Sequence, residues 1–169
     1  MNATAATLRN RWNVADERQR LLQVIQPALI GLIDGTISTL APIFATAYIA
    51  GSRAALLVGL AAALGAAISM GMSEGLSDDG EITGRGAALT RGMITGFATF
   101  VGGTAHALPF LIDDIGTALK VAYVVVSIEL VLIAWVRKRF LGVALRTSLI
   151  QVTLGGIIVA TVGVLVGHA

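Results

Sequence analysis

The chain has 169 residues, 56% of them hydrophobic and only 13% charged, with a mean hydropathy of +0.84 and a formal charge of +2. Soluble domains carry close to twice that charged fraction, so an ordinary water-soluble fold is excluded and an all-α integral membrane protein is expected. Cysteine is absent, which removes disulfides, thiolate metal sites and thiol catalysis together.

Crossing a bilayer as a helix takes about 20 apolar residues, and five such stretches are expected, over residues 24–50, 54–76, 92–112, 118–136 and 142–167. Twenty glycines with few aromatics suit closely packed helices, not a β-barrel girdled by aromatic rings. Ten of the twelve Lys and Arg precede the first span or lie between spans two and three or four and five, leaving only Arg53 and Lys120 on the other side. The positive-inside rule then places the N-terminus in the cytoplasm and the C-terminus outside. Residues 23–169 are read as one five-helix transmembrane domain, and residues 1–22 as a cytoplasmic segment without the pattern of a cleavable signal. In that segment Leu8, Trp12, Ala15 and Leu22 share a helical face among arginines. A helix lying on the membrane surface and a disordered cationic tail both fit.

Span one holds Asp34 at its centre, with no neutralising residue nearby in sequence. An aspartate at that depth costs about 2.5–3.5 kcal/mol even on the lenient insertion scale, so it must face a protein interior, a partner or a watery path. Ser38 and Pro42 follow on the same face, and Gly31 and Gly35 flank it. Pro42 bends the span or shapes an outer vestibule. Span two carries Gly59, Ala63, Ala67, Gly71 and Gly75 four apart, a stripe that predicts close approach to another helix. Near its end Met70 and Glu74 share a face. A thioether one turn from a carboxylate suits a borderline-soft divalent cation; Met72 lies off that face and is the weaker ligand.

The connection after span two, with Asp78, Asp79 and Glu81, reads either as a solvated loop or as an acidic mouth that concentrates cations. Span three aligns Thr95, Thr99, Gly103 and His106, the last a candidate for a proton or metal path or for a structural hydrogen bond. Span four places a second deep carboxylate, Glu129, whose roles are proton carrier or partner of Gln151 on span five. With only two histidines in the chain, a zinc-hydrolase constellation is ruled out.

The segments Asp34-Gly35-Thr36-Ile37-Ser38-Thr39 and Gly65-Ala66-Ala67-Ile68-Ser69-Met70, followed by Glu74 and Ser77, resemble the first two membrane helices of vacuolar iron transporters. The sequence is also similar to the membrane half of bacterial membrane-bound ferritins, through Leu76-Ser77-Asp78-Asp79-Gly80, Thr83-Gly84-Arg85-Gly86, His106-Ala107-Leu108-Pro109-Phe110 and Gln151-Val152-Thr153-Leu154-Gly155-Gly156. The likeness runs from Asp16 to the C-terminus. It implies a two-fold dimer of five-helix protomers, an interface lined by methionine and carboxylate ligands, and exchange of ferrous iron against protons. Carried over by position, it points to Asp34, Met70 and Glu74 as metal ligands. Plant-type members insert a long metal-collecting helical segment after span two; this chain has only a short loop there. The fused ferritins carry a ferritin-like domain ahead of Asp16, and here that stretch is a cationic segment, which makes a separate ferritin-like protein a candidate partner.

Residues and resemblance together predict a non-enzymatic homodimeric transporter of a bacterial inner membrane, exporting Fe²⁺, with Mn²⁺ as second cargo, and holding no permanent cofactor. No nucleic-acid role is expected. Asp34, Met70 and Glu74 form the expected metal site. Ser38, Met72, Asp78, Asp79, Glu81, His106, Glu129 and Gln151 are secondary candidates for the metal or proton path. Two other classes compete: a proton-coupled exporter of small organic cations, which should show more aromatic surface, and a membrane scaffold for a ferritin-like partner.

Overall fold

The computed structural model describes residues 15–168, and among them every regular element is helical. From Ala15 the helix runs through a π turn at Leu21–Ile25 into α1, Gln26–Ser38, and then α2, Leu40–Ser77. Next come α3, Ala88–Ala105, a 3₁₀ turn at Leu108–Leu111, α4, Ile115–Leu141, and α5, Leu145–Gly167. Three helical stretches, Ala15–Ser77, Ile115–Leu141 and Leu145–Gly167, are long and apolar enough to cross a membrane.

The first of these is not one rod. Pro42 has no N–H to offer the carbonyl one turn before it, and the helix slackens at Thr39, where α1 gives way to α2. At Gly51, with φ +79° and ψ −174°, the backbone takes a conformation open to glycine alone, and the chain folds back. Ile43 then lies against Gly59, and Thr39 and Ala63 converge on Gly103, so residues 40–50 and 52–77 form two antiparallel arms. The turn falls in the gap expected between the first two spans.

The small-residue stripe meets α3 along its whole length: Gly59 lies at Ala107, Ala63 at Gly103, Ala67 at Gly96, Gly71 at Gly92 and Gly75 near Ala88. The second arm of α2 is therefore antiparallel to α3. On the other side of α3, Gly31 and Gly35 of α1 press on the Thr95 and Thr99 backbone so closely that a Cβ at either glycine would collide with a carbonyl. Here α1 and α3 run parallel. Against the first arm, Gly163 meets Ala41 and Gly167 meets Ala45, which makes α5 parallel to it, while Phe44 stacks on Tyr123 of α4 with ring centroids 4.9 Å apart.

The third and fourth helices differ from the expected spans. The third ends early, because Pro109 cannot continue α3 and the chain turns through Leu108–Leu111. The fourth is longer at both ends. Asp114 caps its start by accepting from the Thr117 N–H at 2.8 Å, and it runs on through Arg137, Lys138 and Arg139 until Gly142, with φ +68°, stops it. Basic residues in a last helical turn oppose the helix dipole favourably. The hydrogen bond from the Thr117 side chain and backbone holds the Asp114 carboxyl below its ordinary range.

Around a buried apolar core that includes Leu40, Ile43, Phe44 and Ile133, the surface is the inverse of a soluble protein's. Ile68, Phe97, Ile128 and Ile158 are exposed, whereas Thr36, Thr95, Thr99, Arg91 and His106 are buried. Outward apolar faces are what hydrocarbon demands, and most of the buried polar side chains are hydrogen-bonded.

Candidate functional site

Because α1 is held against α3 by its Gly31 and Gly35 edge, Asp34 and Ser38 are turned aside from that contact, next to Ile30, which lines a groove shared with Leu141 of α4 and Val152 of α5. Ile30 and Ser38 are exposed and Asp34 is half-buried. The far side of α1, with Ala28, Leu29 and Leu32, lines an apolar groove against α3 and α4. A second groove on the other flank of α3 takes Leu64, Ile68 and Met72 of α2. Met70 and Glu74 lie on the opposite side of α2 from that groove, as Asp34 does on α1. The three expected ligands thus line neither of these two apolar grooves. Met72 does not join them: it lines the apolar groove and is exposed.

Heights along α3 order these residues. Gly71 stands level with Gly92 and Gly96, and Gly35 with Thr99. At about 1.5 Å per residue, Glu74, Met70 and Asp34 form a ladder with rungs roughly one helical turn apart.

Glu74 already has cations. Its Oε1 accepts from Arg85 Nη2 at 2.7 Å and from Arg91 Nε at 2.9 Å. Arg91 is buried and also donates to the Gly86 and Asp78 carbonyls, so one guanidinium ties the start of α3, the end of α2 and the loop between them. The acidic loop residues are engaged locally. Asp78 accepts from the Gly80 N–H at 2.8 Å and the Thr83 hydroxyl at 2.6 Å, and Asp79 accepts from the Glu81 N–H at 3.0 Å. Those bonds, Thr83 first and then Gly80, with the charges of Arg91 and Arg85 behind them, pull the Asp78 carboxyl below its ordinary range. Two of the three acids expected to form an open mouth therefore hold the loop's own turns, and Glu81 is left exposed.

Deeper in the bundle, His106 is fully buried where α3 ends. Its Nε2 lies 2.8 Å from the Thr39 hydroxyl and its Nδ1 lies 2.9 Å from Glu129 Oε2. The Thr39 hydroxyl donates to the Gly35 carbonyl at 2.8 Å. Its single proton being spent there, Nε2 is the donor in the contact with Thr39. The contact with Glu129 also needs a proton, which belongs to Nδ1 or to the carboxyl. Either way the pair is neutral overall and holds one proton between Nδ1 and Oε2.

The alternative of Glu129 bonding Gln151 does not occur, because Gln151 Oε1 accepts from Arg137 Nη2 at 2.9 Å near the end of α4. Residue type alone left out Arg91, Arg85 and Thr39. A lone arginine one turn into an otherwise apolar helix was the available signal for Arg91, since such a charge is retained only with a partner.

Among the described residues no three His, Asp or Glu side chains converge closely enough to hold a metal ion. Within one protomer the three candidate ligands stand singly at different heights and do not form a cage. Compared with protein-family models, with curated proteins and with solved structures, the chain matches none.

Proposed function

We propose that the chain is a membrane transporter that moves Fe²⁺, with Mn²⁺ as second cargo, out of the cytoplasm in exchange for protons, along a path shared by two copies. In this reading the crossings are five: α1 with the first arm of α2, the second arm of α2, α3 with its 3₁₀ turn, α4 and α5. Their alternating directions support it. So does the gathering of Arg85, Arg91, Arg137, Lys138 and Arg139 at one end, which makes that end cytoplasmic.

The observation that carries the reading is Asp34. A half-buried carboxylate in the middle of an apolar helix, on a face that no other helix covers among the described residues, is too costly to leave against lipid. A second copy placed on that face by a two-fold axis would bring two Asp34 side chains together and double the ladder of Met70 and Glu74. A dication wants about four to six ligands, and doubling supplies two protein ligands at each rung, with water left to complete the shell as the ion steps along. Met70 supplies the soft donor that favours Fe²⁺ over Mg²⁺ or Ca²⁺. Carboxylates that bind either a metal or a proton couple the two fluxes by competition. The resemblance to vacuolar iron transporters supports the same assignment.

The test uses the full chain in liposomes, with Fe²⁺ kept reduced and a pH dye on one side. Expected are Fe²⁺ flux with opposing proton movement and loss of both in Asp34→Asn. Undiminished flux in that variant would refute the site. The absence of native cysteine makes the seam separately testable: Ser38→Cys should crosslink two copies in the membrane, and a monomeric product would rule the seam out.

A further inference from the structure

The His106–Glu129 pair is not used by the seam. It lies inside one protomer and joins three elements: His106 at the end of α3, Glu129 on α4, and Thr39 at the junction of α1 and α2. Among the described residues each is the other's only ion-pair partner. The remaining polar groups on these elements are neutral: Thr39, Thr36 and Thr104 toward α1 and α3, while Tyr123 and Ser127 of α4 are exposed and stand on a different face from buried Glu129. Asp113 reaches the neighbourhood only through its carbonyl, which accepts from Ser52, and Ser148 is the buried polar group of α5.

Burying an ionisable pair in hydrocarbon for packing alone is a poor bargain, since apolar side chains of similar size do as well or better. Two further features give the pair something to do. The hydroxyls of Thr36, fully buried, and Thr104 have, like that of Ser148, no hydrogen-bond partner among the described residues, although buried polar groups are almost always paired. Both lie within a turn of the Thr39–His106 contact, Thr36 on α1 and Thr104 on α3. The bond from Thr39 to the Gly35 carbonyl, in turn, ends in the same helical turn as Asp34. A continuous chain therefore leads from Glu129 through the imidazole and the Thr39 hydroxyl to the backbone beside Asp34.

We propose that each protomer carries a second proton site of the exchange at His106–Glu129, inside the bundle and separate from the metal on the seam. This rests on the exchange reading above. Loss of the proton held between Nδ1 and Oε2, to water admitted at the unpartnered hydroxyls, leaves a neutral imidazole and an anionic carboxylate, so the pair goes from neutral to one negative charge. Regaining that proton restores it. The negative charge develops one hydrogen-bonded step from the slackened junction at Thr39 and favours a cation at Asp34.

The experiment measures Fe²⁺ and proton fluxes together in liposomes for the unaltered chain, Glu129→Gln and His106→Gln. Expected is Fe²⁺ flux that persists in both variants with fewer protons moved per Fe²⁺ and a flattened dependence on pH, whereas Asp34→Asn loses both fluxes. An unchanged ratio of protons to Fe²⁺ in well-folded Glu129→Gln overturns this inference and leaves the exchange reading standing. Fe²⁺ flux without any proton movement in the unaltered chain overturns both. Should the two variants fail to fold, ¹⁵N-histidine NMR of His168→Gln in lipid reports on His106 alone, there being only two histidines. Ring-nitrogen resonances that shift between about pH 5 and 8 support the proposal, and invariant ones overturn it.

Discussion

Asp34 and Glu129 are both acids set in apolar helices, and the fold treats them oppositely. Glu129 is buried against His106, whose other nitrogen is tied to Thr39, so its charge is answered within the protomer. Asp34 lies half-buried on a face of α1 turned aside from α3, with no cation beside it among the described residues. An acid answered by a partner inside the bundle serves the protomer, while one on its surface with no cation among the described residues implies something outside it. The difference follows from packing: the glycine edge that draws α1 onto α3 turns Asp34 aside from it.

The sharpest break of this comparison comes from removing Asp34. Asp34→Leu should cut Fe²⁺ flux in liposomes by at least about tenfold, yet leave the protein as stable or more so in thermal unfolding, because an unpaired carboxylate has been removed from an apolar face. Loss of stability in that variant would mean that Asp34 is answered within the protomer after all. Glu129→Leu and His106→Leu should each destabilise by about 3–5 kcal/mol, whereas the double variant recovers most of that loss. A double-mutant cycle by chemical unfolding measures it, and strict additivity would deny the pairing.

Glu74 stands between the two cases, held by cations yet on the ladder. Arg91→Met should cost about 3 kcal/mol or more, since it strands the partly buried Glu74 and frees the loop carbonyls. Arg85 is more exposed than Arg91, 21% against 1%. Arg85→Gln should therefore leave stability nearly unchanged and lower the Fe²⁺ concentration for half-maximal flux by about two- to threefold, an effect that salt diminishes.

The smallest effect is expected outside the helices' apolar stretches, at the Asp114 cap. Its carboxyl is held below the ordinary value of 3.8, so its contribution is present above that value and disappears as pH falls through the lowered one. Asp114→Ala should lower the melting temperature slightly at neutral pH and not at all in strong acid.

Much of the fold was legible in the residues because hydrocarbon leaves few options. The apolar runs, the turn near Gly51, the stripe from Gly59 to Gly75 that meets α3 and the Thr95–His106 face that is buried could each be read from residue type and a helical period. The ends were less so. Pro109 shortened α3, and the pairing of Asp114 with Thr117 and the stop at Gly142 lengthened α4, through local hydrogen bonds that hydropathy does not register.

By itself, the order of residues determined that this is a helical chain suited to a membrane, with Asp34, Glu74 and Glu129 as its acids of interest and Met70 beside one of them. Only the tertiary structure decided which of those acids are answered. Glu74 meets Arg85 and Arg91 across a folded loop, Glu129 meets His106 across 23 residues, and Asp34 meets no cation among the described residues. A helical period says which face a side chain is on, and ion pairing depends on which faces the packing brings together.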